Sequence, residues 1–367
     1  MVRILVILGG LGKEGITNSV LTYLEKIDKE GITLHLGIAG NAEPDGLKRA
    51  NAIGIPIHML PGRNTDPVKY YLALKKLVKR EHFDIVHVHG NSATLGIDMA
   101  AARAGGCPVR IAHSRNTSCT HPVMDKLMRP VFYANYTDGF ACGEEAGRWL
   151  FRQRPFTVIP NGKDINRFLF REKDRVAIRR QYGIEDKIII GHAGVMNAQK
   201  NHTFLLDIFN EICTGSDRYV LWLLGEDGGT KALLEEKIRR CNLQEKIMFL
   251  GFRPDVERYL CAMDIMVFPS LYEGLPNAVI EWQISGLPCI LSDTITRECK
   301  IMDNITFLPL GAEAKAWADK ITSTAIAERS EGQDMIRSKM MEAGFDIAQN
   351  VVRLKSLYQH LALAKGS

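Results

Sequence analysis

Two glutamates eight residues apart, Glu273 and Glu281, bracket the run Gly274-Leu275-Pro276-Asn277. A strand ends just upstream at Phe268-Pro269-Ser270, and Pro276 is well placed to open a helix. The free amides of a helix's first turn make an anion site. Glu281, about one turn further in, can accept two hydrogen bonds, as a ribose diol requires. Glu273 sits ahead of the loop, near where a sugar attached to that anion would lie. Earlier in the chain, Gly191-His192-Ala193-Gly194 ends another strand, and Gln199-Lys200-Asn201-His202 precedes a helix. Lys200 at that place can neutralise a leaving diphosphate. The plain alternatives are a capped surface helix and a solvated lysine.

The first half carries a second set. Gly10-Leu11-Gly12-Lys13-Glu14-Gly15 follows the first strand and opens a helix, fitting the G-x-G-x-x-G template. A dinucleotide-binding oxidoreductase needs an acid at the end of its second strand. Ile38-Ala39-Gly40-Asn41 stands there instead, and Gly12-Lys13 is followed by Glu14, which excludes a Walker A loop. A phosphate or acceptor loop and a tight turn both remain open. His87 and His89 share one face of a strand. A metal would need a third ligand that their spacing does not offer, so no metal site is expected. His89, at the strand tip, is expected in a cleft and His87 in a structural role. His113 ends the next strand and leads into Ser114-Arg115-Asn116, an imidazole, a guanidinium and an amide suited to hydroxyls and negative charge.

These groups need a scaffold that aims strand ends at one place. Buried-type strands are expected at 2–8, 32–38, 84–88, 109–112, 139–142 and 156–159. A second series is expected at 187–192, 219–224, 246–250, 264–268, 288–291 and 305–308, with amphipathic helical stretches between. This alternation predicts doubly wound α/β units. The chain's 367 residues suit about two domains. The turn Pro160-Asn161-Gly162 and the charged run after it put the boundary near 165, giving domains 1–165 and 166–345 and a terminal helix in 346–367. Two such sheets facing each other leave a cleft at their strands' carboxyl ends.

Composition excludes several classes. The eight cysteines form no C-x-x-C pair and no Cys/His cluster, so neither zinc nor a disulfide framework is suggested, and reduced thiols point to an intracellular protein. The first apolar run is too short for a signal or a membrane span of about 20 residues. The net charge of +5 is uneven: residues 1–165 hold 21 Lys/Arg against 15 Asp/Glu, and the rest 26 against 27. An anionic partner for the first domain and a solvated basic face both account for that. Within 63–80, Arg63, Lys69, Lys75, Lys76, Lys79 and Arg80 accompany an apolar stripe of Tyr71, Leu74 and Val78.

The segments 111–116, 158–168, 191–205, 249–260, 268–296 and 317–321 together make the chain resemble retaining glycosyltransferase family 4, within it the EpsF-like exopolysaccharide and capsule group. The resemblance runs over nearly the whole chain and is most specific in FPSLYEGLPNAVIEWQISGLPCILSDTIT, 268–296. It implies a GT-B fold, with two Rossmann-like domains and the terminal helix crossing back to the first. It implies a metal-independent hexosyltransferase with no cofactor, moving sugar from a nucleotide diphosphate, UDP in most of that branch, to a growing saccharide that is usually lipid-linked. By carry-over, Glu281 would hold the ribose, and Glu273, Gly274, Leu275, Pro276 and Asn277 the sugar and diphosphate. The backbone of Phe252 and Arg253 would face the base, and Gly194 and Lys200 the diphosphate. Gly12 and Gly15 would close on the phosphates. His113, Lys200 and Glu273 would serve catalysis, with His89, Arg115 and Asn116 on the acceptor side. The chain departs from the family at Val195, where arginine usually follows Gly194. Lys200 with the helix amides, or another arginine, must then balance the diphosphate. A non-catalytic nucleotide-sugar-binding partner and a sugar-nucleotide epimerase are the alternatives. A lipid-linked acceptor would give the basic segment a use, as peripheral contact with an anionic membrane from the cytoplasm. No nucleic-acid partner is expected.

Overall fold

The computed structural model describes residues 1–12, 15–326 and 328–366. Contacts divide the chain into two units, Met1–Lys163 with Gly344–Ser367, and Asp164–Ala343.

The first unit is built on β1 (Val2–Leu8), β2 (Ile32–Ile38), β3 (Ile57–Met59), β4 (Ile85–Gly90), β5 (Val109–Ser114), β6 (Asp138–Ala141) and β7 (Thr157–Val158). They form one parallel sheet in the order β3-β2-β1-β4-β5-β6-β7. Ile4 through Leu8 are all buried because helices cover both faces, so the strand is apolar without alternation. One apolar layer contains Val6, Leu34 and Leu36 with Ile347, Val351, Leu354 and Tyr358 of the terminal helix Ile347–Gly366. The other contains Leu5, Ile7, Tyr70, Leu74 and Val88. The terminal helix is therefore a working part of this core, each buried aliphatic contributing about 1.5–3 kcal/mol.

Two expectations need correction. Strand β3 was not among the expected strands; its three residues, Ile57-His58-Met59, lie at the sheet's edge and carry little apolar signal. On the basic helix Pro67–Glu81 the buried stripe is Tyr70, Leu74, Leu77 and Val78, with Tyr71 only partly covered. Adjacent tyrosines made the phase ambiguous, and Asp98 resolves it: Tyr70 donates to its buried carboxylate. Arg63 does not belong to a basic face, for its guanidinium donates to the same Asp98 at 2.9 Å. Lys69 pairs with Asp66 and Arg80 with Glu81.

The second unit holds β8 (Ile188–Ala193), β9 (Tyr219–Leu224), β10 (Ile247–Gly251), β11 (Ile265–Phe268), β12 (Cys289–Ser292) and β13 (Ile305–Leu308), parallel in the order β10-β9-β8-β11-β12-β13. Both sheets reverse their winding beside the first strand, between β1 and β4 and between β8 and β11, the position where doubly wound sheets receive ligands. All eight cysteines are free thiols. Among the described residues no helix is long and apolar enough to cross a membrane.

Candidate functional site

The tips of β8 and β11 are neighbours, and the groups singled out in the second half gather there. Past β8 the backbone runs through Gly194, pressed against Gly225. A Cβ on Gly225 would lie 2.0 Å from the Gly194 carbonyl, and its φ of +143° suits only glycine. A short turn, Ala198–Lys200, is capped by Asn197, whose side chain accepts from the Lys200 amide at 3.2 Å. This fixes the stem of Lys200 over Gly194, where a Cβ would meet its Cε at 3.4 Å. Lys200 Nζ donates to Glu273 Oε1 at 2.5 Å and lies 4.8 Å from the centroid of the Phe268 ring. Two hydrogen bonds sew the loops together, one backbone and one from a side chain: Leu271 N donates to Gln199 O, and Gln199 Nε2 to Tyr272 O, both at 2.8 Å.

Glu273, Gly274 and Leu275 then lead to Pro276, the N-cap of helix Asn277–Ile284. In its first turn Val279 N donates to Pro276 O at 3.2 Å. Glu281 lies just over one turn in, half-buried. Phe252 and Arg253 follow β10, two strands from β8 in the sheet order. Gly251, at φ +68°, turns the chain there. The Arg253 guanidinium lies 5.1 Å from the centroid of the Tyr259 ring, and Phe252 is exposed. Val195 is exposed at the rim.

A pair to which no role was given lies beneath Lys200. The rings of His192 and His202 are 4.2 Å apart, and none of their four nitrogens has a partner. Burial holds His202 down to about 4 and His192 well below the ordinary histidine value, Lys200 adding to both, so both are neutral at physiological pH.

In the first unit, β4 and β5 bring His87, His89 and His113 together with Arg115. His87 Nε2 and His113 Nδ1 are 3.0 Å apart, and Arg115 Nε donates to His89 Nδ1 at 3.0 Å. Arg115 also donates to Asn161 Oδ1 at 2.6 Å. Among the described residues no carboxylate pairs with this buried guanidinium. Burial, with Arg115 or a neighbouring imidazole, lowers all three histidines well below their ordinary value. The expectation that a third metal-ligating group is missing is corrected: His113 supplies it across the strands, with ligand atoms within 4.8 Å of one another. Both nitrogens of His87, Nδ1 of His113 and Nδ1 of His89 are nonetheless engaged in hydrogen bonds, and a buried guanidinium repels a divalent ion, so the cluster reads as a polar network. Asn116 turns its side chain onto its own loop, accepting from the Thr117 amide at 2.8 Å.

The glycine loop after β1 packs backbone to backbone on the loop after β2. A Cβ on Gly10 would sit 2.9 Å from Asn41 O, and one on Gly40 2.2 Å from Gly9 O. Gly10 and Gly40 are thus required by close approach. Gly12 is half-buried, Gly15 begins helix Gly15–Lys26, and Lys13 and Glu14 lie outside the described residues.

Comparison with known proteins gives this geometry a family. The model "Glycosyl transferases group 1" matches residues 187–325, and "Glycosyltransferase Family 4" matches residues 14–167. EpsF of Bacillus subtilis, named as a glycosyltransferase, is 32% identical over 97% of this chain and 96% of its own length. The Escherichia coli UDP-Gal:alpha-D-GlcNAc-diphosphoundecaprenol alpha-1,3-galactosyltransferase is 26% identical, covering 81% of each. Among solved structures, Anabaena HepE in complex with UDP-glucose superposes with a TM-score of 0.80 over 97% of this chain and 100% of that one, at 17% identity, which speaks to the fold alone. With two Rossmann-like units of the GT-B class and this near full-length likeness, the chain belongs to glycosyltransferase family 4 and is a glycosyltransferase.

Proposed function

We propose that the chain is a retaining, metal-independent hexosyltransferase that moves a sugar from a UDP-sugar to a lipid-linked saccharide of exo- or capsular-polysaccharide assembly. The observation that carries the reading is the Lys200–Glu273 pair at the adjoining tips of β8 and β11. The ammonium is balanced by the carboxylate. A diphosphate arriving at the helix Asn277–Ile284 offers the ammonium a second anion, and Glu273 is left to take hydroxyls of the sugar. Departure of the diphosphate is then stabilised by Lys200 and the helix amides, while the acceptor hydroxyl attacks from the face the diphosphate leaves and gives its proton to the departing phosphate oxygen. Glu281 holds the ribose, and the backbone of Phe252 and Arg253 meets the base. His113 meets the transferred sugar, with His89, Arg115 and Asn116 toward the acceptor. Gly12 and Gly15 are assigned to phosphate.

Support for the donor and acceptor comes from relatives. The Anabaena neighbour binds UDP-glucose, and the Escherichia coli and Campylobacter jejuni relatives are named for diphospho-undecaprenol acceptors. A thermal-shift screen of UDP-, GDP- and ADP-sugars tests the donor, since a ligand at 100 times its Kd adds about 2.7 kcal/mol. UDP-sugars are expected to give the largest shift; a larger one from GDP- or ADP-sugars overturns the choice.

Val195 stands where the family usually supplies a second cation. Its side chain is at the rim, so a longer one has solvent to extend into. Val195→Arg is expected to tighten donor binding or raise turnover, read by titration and initial rates. A large loss of both would show the pocket built around the apolar side chain.

The helix Pro67–Glu81 suits peripheral contact with anionic membrane. Lys76, Lys79 and Arg80 are exposed on it beside Val68 and Leu72. Each cation near such a surface contributes about 1 kcal/mol, screened by salt. Salt-sensitive co-sedimentation with anionic vesicles is expected, and little with neutral ones. Replacing Lys75, Lys76, Lys79 and Arg80 with Gln is expected to abolish it while sparing activity on a soluble acceptor; unchanged co-sedimentation removes this helix as the membrane face.

A further inference from the structure

The imidazoles at the tips of β4 and β5 belong to a chain of hydrogen bonds that ends on the terminal helix. Tyr358 Oη lies 2.6 Å from His87 Nδ1, and His87 Nε2 lies 3.0 Å from His113 Nδ1. Tyr358 is 2% exposed and His113 1%. At the far end His113 Nε2 is buried without a partner. All three side chains line one cavity of about 20 Å³, room for a single water.

Two proton arrangements satisfy the chain, and they differ in which end donates. Burial keeps both imidazoles neutral, one N–H each, and the same burial pushes the Tyr358 phenol up so that it keeps its proton. In one arrangement Tyr358 donates to His87 Nδ1, His87 donates from Nε2 to His113 Nδ1, and the proton of His113 sits on Nε2. In the reverse arrangement His113 donates from Nδ1 and His87 from Nδ1, and the phenol accepts. The phenolic hydrogen then has no acceptor among the described residues. Each arrangement leaves one buried donor unmade, the phenol O–H here and His113 Nε2–H in the first, so the count of donors does not choose between them. The 2.6 Å between Tyr358 Oη and His87 Nδ1 does choose: it is shorter than the usual ~2.7–3.2 Å of N–H···O bonds and falls where O–H donors sit, which favours the phenol as donor.

We propose that Tyr358, acting through His87, fixes His113 as the Nε2–H tautomer, so that His113 offers a hydrogen-bond donor rather than a base. The use of this donor rests on the reading of His113 as the group that meets the transferred sugar. A sugar hydroxyl oxygen is the acceptor it suits, and Tyr358 is then a positioning residue contributed by the last helix of the chain.

Nitrogen-15 NMR of the full chain with labelled histidine reads the tautomer without donor or acceptor, the His113 signals being those lost in His113→Gln. The wild-type protein is expected to show Nε2 protonated and Nδ1 bare. Tyr358→Phe should move His113 toward a mixture of tautomers. Leu354→Ala, from the same helix and cavity, should lower Tm and leave the tautomer unchanged. A wild-type proton on Nδ1, or a Tyr358→Phe spectrum identical to wild type, overturns the proposal, and the wild-type spectrum decides even where Tyr358→Phe does not fold. In turnover, Tyr358→Phe is expected to lower kcat about tenfold with donor KM within about twofold. A changed tautomer with unchanged kcat supports the relay and removes His113 from the transfer step.

Discussion

Lys200→Ala is expected to lower kcat by about 10²- to 10³-fold, the usual loss when one preorganised group facing developing charge is removed. The expectation follows from how this ammonium is held. Its amide is tied by Asn197, its stem lies over Gly194, and its charge sits between Glu273 and the Phe268 ring. No reorganisation is needed when the diphosphate begins to leave. The variant also strands the Glu273 carboxylate, whose side chain is only 10% exposed, so a stability loss of about 1–3 kcal/mol should accompany it. Denaturant titration beside initial-rate kinetics separates the two effects: lost stability shifts the midpoint, whereas a lost transition-state contact lowers kcat in folded enzyme. A folded Lys200→Ala protein turning over at the wild-type rate would remove the ammonium from the reaction.

Glu281→Ala is expected to weaken UDP itself by about 1.5–3 kcal/mol, tenfold to a hundredfold or more in Kd, because hydrogen bonds to a charged acceptor carry that much. Glu273→Ala is expected to behave differently. Its carboxylate is assigned to the sugar and not the nucleotide, so free UDP should bind nearly as in wild type while turnover of the sugar donor falls. Losing Glu273 also releases Lys200 from its only ion pair among the described residues, which leaves the ammonium free for the phosphates. Titration of both variants with UDP alone decides the division of roles, and equal losses would sink it.

What could be seen in the amino-acid order was whatever is local in it. Buried parallel strands are short apolar runs, so β1, β2, β8 and β9 stand out unaided. The Glu273–Glu281 segment is legible for the same reason: strand end, loop, helix start and two carboxylates fall within fourteen residues, 268–281. An edge strand of three residues has no such signature, and neither does helix phase where Tyr70 and Tyr71 adjoin. Contacts made across the fold were illegible. Lys200 and Glu273 are 73 residues apart, and His87 meets Tyr358 over 271. The grouping of His87, His89 and His113 depends on β4 pairing with β5 in a register that sets His89 beside His113, which no spacing along one strand reveals. The His192–His202 pair was hidden too, since a strand end and a helix start must fold together before the rings touch.

The central claim is transfer, and it has a direct test. The purified chain is incubated with a UDP-sugar panel and an undecaprenyl-diphosphate-linked saccharide, and the lipid product is followed by mass spectrometry alongside released UDP. The lipid is expected to gain one sugar, with one UDP released per product and little release when acceptor is omitted. Donor that binds yet yields neither product nor UDP, or donor that is isomerised without acceptor, would contradict it.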